Sequence, residues 1–176
     1  MSMLYQQSGS FGKPIAIYTR YKLLEDATKL AKSDAEIFSA RPVTLDENGE
    51  VIPVTSNVKV YGLAKANKNQ YSDEVSDSYG MYGSKRMTVV VMGIVEVQHN
   101  IVTDNEGNET QIDTYDTAQT YSVMDPLYVV TSGTKVGQIT NQLVTSGQGQ
   151  NDKTFLGYVL VPPTATDSTM QILLLK

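Results

Sequence analysis

The chain has 176 residues, no cysteine, one histidine, and 14 Lys and Arg against 19 Asp and Glu for a net charge of −5. That length suits a single domain that buries roughly 70% of its unfolded surface without help from a metal or disulfide. The composition excludes disulfide frameworks, thiolate zinc sites and cysteine nucleophiles, and its acidic balance argues against a nucleic-acid partner.

Residues 1–13 are rich in Ser, Gly and Gln and follow neither a helical nor a strand period. Such a segment cannot bury enough apolar area to offset its ordering entropy, so a flexible N-terminal arm is expected, with Met3, Leu4, Tyr5 and Phe11 as its sticky points. A single β-rich domain is expected over 14–176. In 14–22, Ile15, Ile17, Thr19 and Tyr21 alternate with Ala16, Tyr18, Arg20 and Lys22, the pattern of a half-buried strand. Residues 23–33 carry the one helical stripe: Leu23, Ala27, Leu30 and Ala31. Residues 41–55 read as a hairpin turning at Gly49, and 57–64 as a strand with Val58 and Val60 on one face. Residues 65–85 read as a long polar loop whose tip carries Tyr71, Tyr79, Met81 and Tyr82, placed for an interface.

Residues 87–97 form the strongest strand, and 89–95 is apolar on both faces. A strand with one wet face would alternate, so this one is either sandwiched within the domain or buried between subunits. Val89, Val91 and Ile94, with Leu173 and Leu175 of the last strand, are the candidate oligomer contacts. Gly93 marks a bulge or a close backbone approach. A hairpin follows at 99–114, then strands at 121–123 and 127–130, a Ser-Gly turn into a strand at 135–140, a polar loop at 141–153, a core strand at 155–161, and a closing strand at 170–175. Many short strands with frequent turn signals point to a mainly β sandwich, barrel or tulip-like domain with one short helix and long polar loops. Residues 41–64 and 126–160 share an order of Pro, strand, turn, strand and then apolar-Gly-apolar (Tyr61-Gly62-Leu63 and Leu156-Gly157-Tyr158), a weak internal repeat.

No catalytic constellation stands out. There is no phosphate-binding Gly-Lys loop, no nucleophile elbow and no HExxH helix. His99 reads as a solvated or structurally bonded side chain. The acidic turns fail the calcium-loop register, and an irregular site near Asp104, Glu106 and Glu109 stays open. No enzyme activity and no cofactor are expected. Apolar runs such as 89–91 are far below the ~20 residues of a membrane span, and neither a membrane partner nor a signal peptide is expected.

Residues 121–176 carry a resemblance. MDPLYVV, TSGTKVGQIT, the loop TSGQGQNDK, FLGYVLVPP and the final MQILLL follow one another, with RPVTLDENGEVIPVTSNVKVYGLAKA upstream. In strand and turn order this resembles the head decoration, or cement, proteins of tailed bacteriophages and related virion structural proteins. The resemblance implies a β-tulip-type module on the outer surface of the capsid, made in the host cytoplasm. It implies the major capsid protein as partner, self-association as a homotrimer, and stabilisation of the expanded head by bridging subunits. In several such proteins an N-terminal arm adds a strand to the subunit beneath, a role that residues 1–13 suit. Two alternatives stay open: a carbohydrate-binding or adhesin module working through the 65–85 tyrosines, and another virion part such as a head-completion or tail-tube protein.

Overall fold

A computed structural model describes residues 23–56, 58–68, 75–76, 85–103, 106–143 and 153–176. The molecule is mainly β, with almost no helix and a curled antiparallel sheet. The strands are β1 (Leu24–Asp26), β2 (Pro42–Leu45), β3 (Val51–Pro53), β4 (Gly62–Ala64), β5 (Asn67–Lys68), β6 (Val75–Ser76), β7 (Val89–Val97), β8 (Asn100–Thr103), β9 (Glu109–Ile112), β10 (Pro126–Val129), β11 (Ile139–Thr140), β12 (Phe155–Val161) and β13 (Met170–Leu175). The large sheet runs β11-β10-β12-β13-β7-β4-β2-β3, with β1 also on β7, and β5-β6 and β8-β9 are separate pairs.

Strand β7 is the spine. Alternate residues of a strand offer their backbone groups to opposite edges. The β4 side takes Leu63 opposite Val90 and the Lys65 amide on the Thr88 carbonyl. The other edge is shared end to end. β13 pairs with it from Val97 to Met92 and closes with the Lys176 amide on the Val91 carbonyl. β1 and the residues after it then take over, with the Met87 amide on the Lys29 carbonyl.

That sharing closes one half of the sheet. After running beside β7, the chain at Leu30–Lys32 exchanges backbone bonds with Val51 of β3. The segments β7, β4, β2, β3 and 24–32 therefore form a hydrogen-bonded ring. Each points a small or β-branched side chain inward: Val89, Ala64, Val43, Val51 and Ala31, joined by Ile37, Val75 and Met87 in one cluster. A second, larger cluster gathers Leu63 and Val90 with Val95, Val97, Leu127, Val129, Leu156, Val159, Met170, Ile172 and Leu174. Neighbouring β7 residues Val89 and Val90 thus serve different cores, which is why β7 begins apolar on both faces. Buried positions lose their alternation across Gly93, which sits at φ 133 with Leu23 Cδ2 only 2.6 Å from where a Cβ would be. Gly93 is a close approach, one of the two roles expected of it.

The hairpin turns behave as their residues dictate. Gly49 adopts φ 77 and Asp46 Oδ1 accepts the Asn48 and Glu50 amides. Both terminal strands of the sheet are covered by backbone, β3 by Ala31 and β11 by Tyr115, so neither offers a free edge for strand addition there.

Six expectations are corrected. The 23–33 stripe is not a helix, because β7 pairs with Leu24–Asp26 and Arg86 and Val51 bridge to Leu30 and Ala31, and tertiary pairing overrides a weak helical pattern. Residues 121–123 are a turn, and 135–140 is a turn ending in the two-residue β11. Within 65–85, residues 67–68 and 75–76 pair as β5 and β6, with Val75 and Lys68 buried beneath the ring. Strand 57–64 shrinks to β4, although Val58 and Val60 do pack on one cluster. Val89 is fully buried in the chain's own core and presents no surface for an oligomer contact.

Candidate interaction surfaces

The polar groups that could do chemistry are engaged in holding the fold. His99 is buried; its Nδ1 accepts the Thr114 amide at 3.1 Å and its ring lies 4.2 Å from that of Tyr115. Burial outweighs Asp113, 3.6 Å away, and holds the imidazole below its ordinary pKa of 6.5. The ring is neutral and structurally bonded. The Arg41 guanidinium donates to the carbonyls of Asp113 at 2.7 Å and Val136 at 2.8 Å, clasping β9 and the β10–β11 turn to the ring. Gly137 leaves room for it, since a Cβ there would lie 2.7 Å from Nη2. A cavity of about 230 Å³ beside Arg41 is walled mainly by apolar and backbone groups.

A second, shallow cavity of about 310 Å³ contains Asp116 and Lys135, 2.5 Å apart. Burial pushes the Asp116 carboxyl upward, but Lys135, the Ala118 amide and Gln119 together hold it below its ordinary value. That carboxylate already has its partners. Among the described residues no cluster of acidic or histidine side chains could hold a metal. Glu106 and Glu109 are exposed, and Asp104 lies outside the described residues.

Two apolar surfaces remain. The first is the turn 121–125. Tyr121 is buried and its hydroxyl donates to the carbonyls of Asp116 and Ile139. Asp125 Oδ2 accepts the Ser122 amide and the Asn141 side chain, both at 2.8 Å. The Met124 amide donates to Val159 and the Val159 amide to Asp125. Between these pins Val123 and Met124 stand 60% and 57% exposed, Met124 at φ 68. A left-handed conformation costs a non-glycine residue roughly 1–2 kcal/mol. The fold thus holds two large apolar side chains in water on a strained, rigid turn. Leu143 and Val161, also exposed, follow closely on Asn141 and Val159.

The second surface is the face of β7, β13, β12 and β10 turned away from the large core. Ile94 lies opposite Leu173, Met92 opposite Leu175, Leu173 opposite Tyr158 and Tyr128 opposite Phe155. Tyr128, Phe155 and Tyr158 meet edge to face, with ring centroids 5.9 and 5.4 Å apart. Leu24 beside Met92 extends the face onto β1. All are half-buried or exposed. The face ends at Glu96 opposite Gln171.

Of the candidate contacts read from sequence, Ile94, Leu173 and Leu175 come together on this face. Val91 is half-buried and packs toward the ring core instead. Met3, Leu4, Tyr5, Phe11, Tyr71, Tyr79, Met81 and Tyr82 lie outside the described residues. Met92, Tyr128, Phe155, Tyr158, Val123 and Met124 were missed. For Tyr158 a signal was present, since a tyrosine hydroxyl needs a partner or water and so marks a strand position that is not fully covered by apolar core. Neither the family models nor the curated proteins contain a match to this chain.

Proposed function

We propose that the chain is a decoration, or cement, protein of a tailed-phage head. In this reading it binds the outer surface of the major capsid shell as a homotrimer and stabilises the expanded head by bridging subunits. The observation that carries the reading is the pinned turn 121–125 with Val123 and Met124 exposed. Adhesion across a lattice needs rigid apolar anchors repeated many times, because ordering entropy is then spent once, in folding, and the contacts gain by repetition. Residues 1–13 supply a second attachment in the same proposal. Chemistry is no part of it: the buried histidine and the ion-paired Asp116 carboxylate described above already serve the fold.

Met124→Gly separates display from stability. Glycine accepts φ 68 without strain, so the thermal midpoint stays level or rises. Attachment to expanded, undecorated heads of the virus whose genome carries the chain falls at least tenfold in a co-sedimentation titration. Parent-like attachment by both Met124→Gly and Val123→Ser would remove the turn from the interface. Failure of the parent chain to sediment with heads would end the decoration reading itself.

A further inference from the structure

We propose that the cavity beside Arg41 is a binding site for a monocarboxylate with a small branched apolar body. The inference goes beyond the decoration reading and stands whether or not a capsid is the partner. Three observations carry it.

The first is the state of the guanidinium. A guanidinium carries five N–H donors in a fixed fork. In Arg41, Nη1 gives one to the Asp113 carbonyl and Nη2 one to the Val136 carbonyl. Among the described residues the other donors have no acceptor, and no carboxylate makes an ion pair with the fork. Burial holds the group below its ordinary pKa, and the field of Asp113 offsets that only in part. The side chain stays charged at neutral pH all the same. It also follows Ala40, which sits at φ 62. Left-handed backbone at a residue with a Cβ is strained, and such strain clusters at ligand sites.

The second is where the fork ends. Val136 and Gly137 are walls of the cavity, and a Cβ at Gly137 would lie 2.7 Å from Nη2. Asp113, which takes the Nη1 bond, follows Ile112, another wall. The charged end of Arg41, and not only its stem, therefore lies at the edge of the cavity. A cation left short of partners beside an enclosed space is relieved by an anion that enters it.

The third is size and lining. At about 230 Å³ the cavity matches roughly eight waters at about 30 Å³ each. That suits a carboxylate on a short branched chain. Phe38, Pro42, Val43 and Pro53 offer apolar walls to the chain. The fork takes the carboxylate through parallel hydrogen bonds. Glu36 is the one acidic wall, and it is exposed. It selects by charge: a single carboxylate turns away from it towards Arg41, whereas a phosphate dianion keeps charge facing it. The walls come from the ring on one side and from Ile112, Val136 and Gly137 on the other, so a bound acid also ties these parts together.

The probe is 4-methylpentanoate, titrated into the isotope-labelled full-length protein and followed by NMR. The expected result is a saturable shift of the Arg41 Nε–H signal and of the Val136 and Gly137 amides, with a Kd of about 1 mM or tighter. The thermal midpoint should rise with acid concentration. 4-Methylpentan-1-ol keeps the body without the charge, and inorganic phosphate the charge without the body; each should bind at least tenfold more weakly. Val136→Phe and Ile112→Phe fill the space while leaving both backbone carbonyls on Arg41, and each should weaken the acid at least tenfold. Should these variants not fold, the titrations of the unaltered protein decide. An N-acetylated peptide ending in leucine identifies the source: tenfold tighter binding than the free acid assigns the site to a protein C-terminus, and weaker binding assigns it to a free acid. No shift at Arg41 by about 20 mM acid, or equal affinity for the alcohol, would overturn the site. None of these readings depends on heads, so loss of capsid binding and loss of the site are separate outcomes.

Discussion

β2–β3–β4 and β10–β11–β12 are built alike and finished differently. In each, a hairpin's first strand takes a return strand on its other edge, giving the orders β4-β2-β3 and β12-β10-β11 at opposite ends of the sheet. Gly62 lies opposite Val43 in one return strand and Gly157 opposite Leu127 in the other. A Cβ at Gly62 would overlap the Val90 carbonyl oxygen, and one at Gly157 the Leu173 carbonyl oxygen. The β4 end then closes into a ring around its own cluster. The β12 end stays open and keeps an apolar face towards the outside. One strand plan thus yields a self-satisfied half and a half that still has surface to bury, and the difference comes from the chain at 24–37, which covers only the first.

The sharpest break in the likeness is between the two glycines. Gly157 sits at φ 154, so an alanine there meets both a forbidden backbone region and the Leu173 carbonyl. Gly157→Ala is expected to abolish the cooperative urea transition at room temperature. Gly62 has only the clash, and Gly62→Ala is expected to lower stability by roughly 1–3 kcal/mol, read as a lower urea midpoint at unchanged slope. Equal effects would mean that the backbone at Gly157 relaxes freely.

Next comes the contrast between covered and bare faces. Met87 is fully buried in the ring, and Met87→Ala is expected to remove about 2–5 kcal/mol. Met92, 44% exposed on the open face, is expected to change stability by about 0.5 kcal/mol or less on Met92→Ala, in a chain lacking residues 1–22. If Met92→Ala in the full-length chain approaches the Met87 value, something covers that methionine.

How far the sequence discloses this plan depends on what sets each element. Strand positions governed by alternation, such as 155–161 and 170–175, are legible because side-chain period follows from backbone geometry. So are the hairpins, where Gly49 supplies a left-handed residue. The 23–33 stretch is misleading because its helical stripe is accidental: Leu30 is exposed, Leu23 packs on the large core and Ala31 on the ring. Only β7 and β3, distant in sequence, decide its conformation. The pinned turn at 121–125 is hidden for a related reason. Tyr-Ser-Val-Met reads as strand, and what fixes it as a turn is Asp125 accepting from Asn141 and Tyr121 donating to Ile139. Ile94 and Leu173 could be named as surface contacts because both lie on strongly apolar strands, whereas Val89 has the same local signal and the opposite fate. Which face of an all-apolar strand is covered is a tertiary property.

The smallest expected effect lies where the two halves are joined, at His99 between β7 and β8. Its Nδ1 is an acceptor for the Thr114 amide at the base of the β8–β9 hairpin, and burial disfavours the charged ring despite Asp113. The unfolded chain therefore binds the proton more readily than the folded one. The stabilisation is fully present above the ordinary value of 6.5 and is lost as pH falls below it, through the depressed folded value. The Asp26 carboxyl, held down to about 2 by the Thr28 and Tyr61 hydroxyls, is still ionised in that window, and burial does not prevent Lys135 from holding Asp116 low as well. A modest decline of the urea midpoint between pH 7 and 5 should therefore belong to His99, with faster amide exchange in β8 and β9 than in the ring. In His99→Gln, whose side chain can still accept the Thr114 amide, the decline over that range should flatten. A decline that persists unchanged in His99→Gln would place the titrating group elsewhere and leave the two halves of the sheet joined by contacts indifferent to acid.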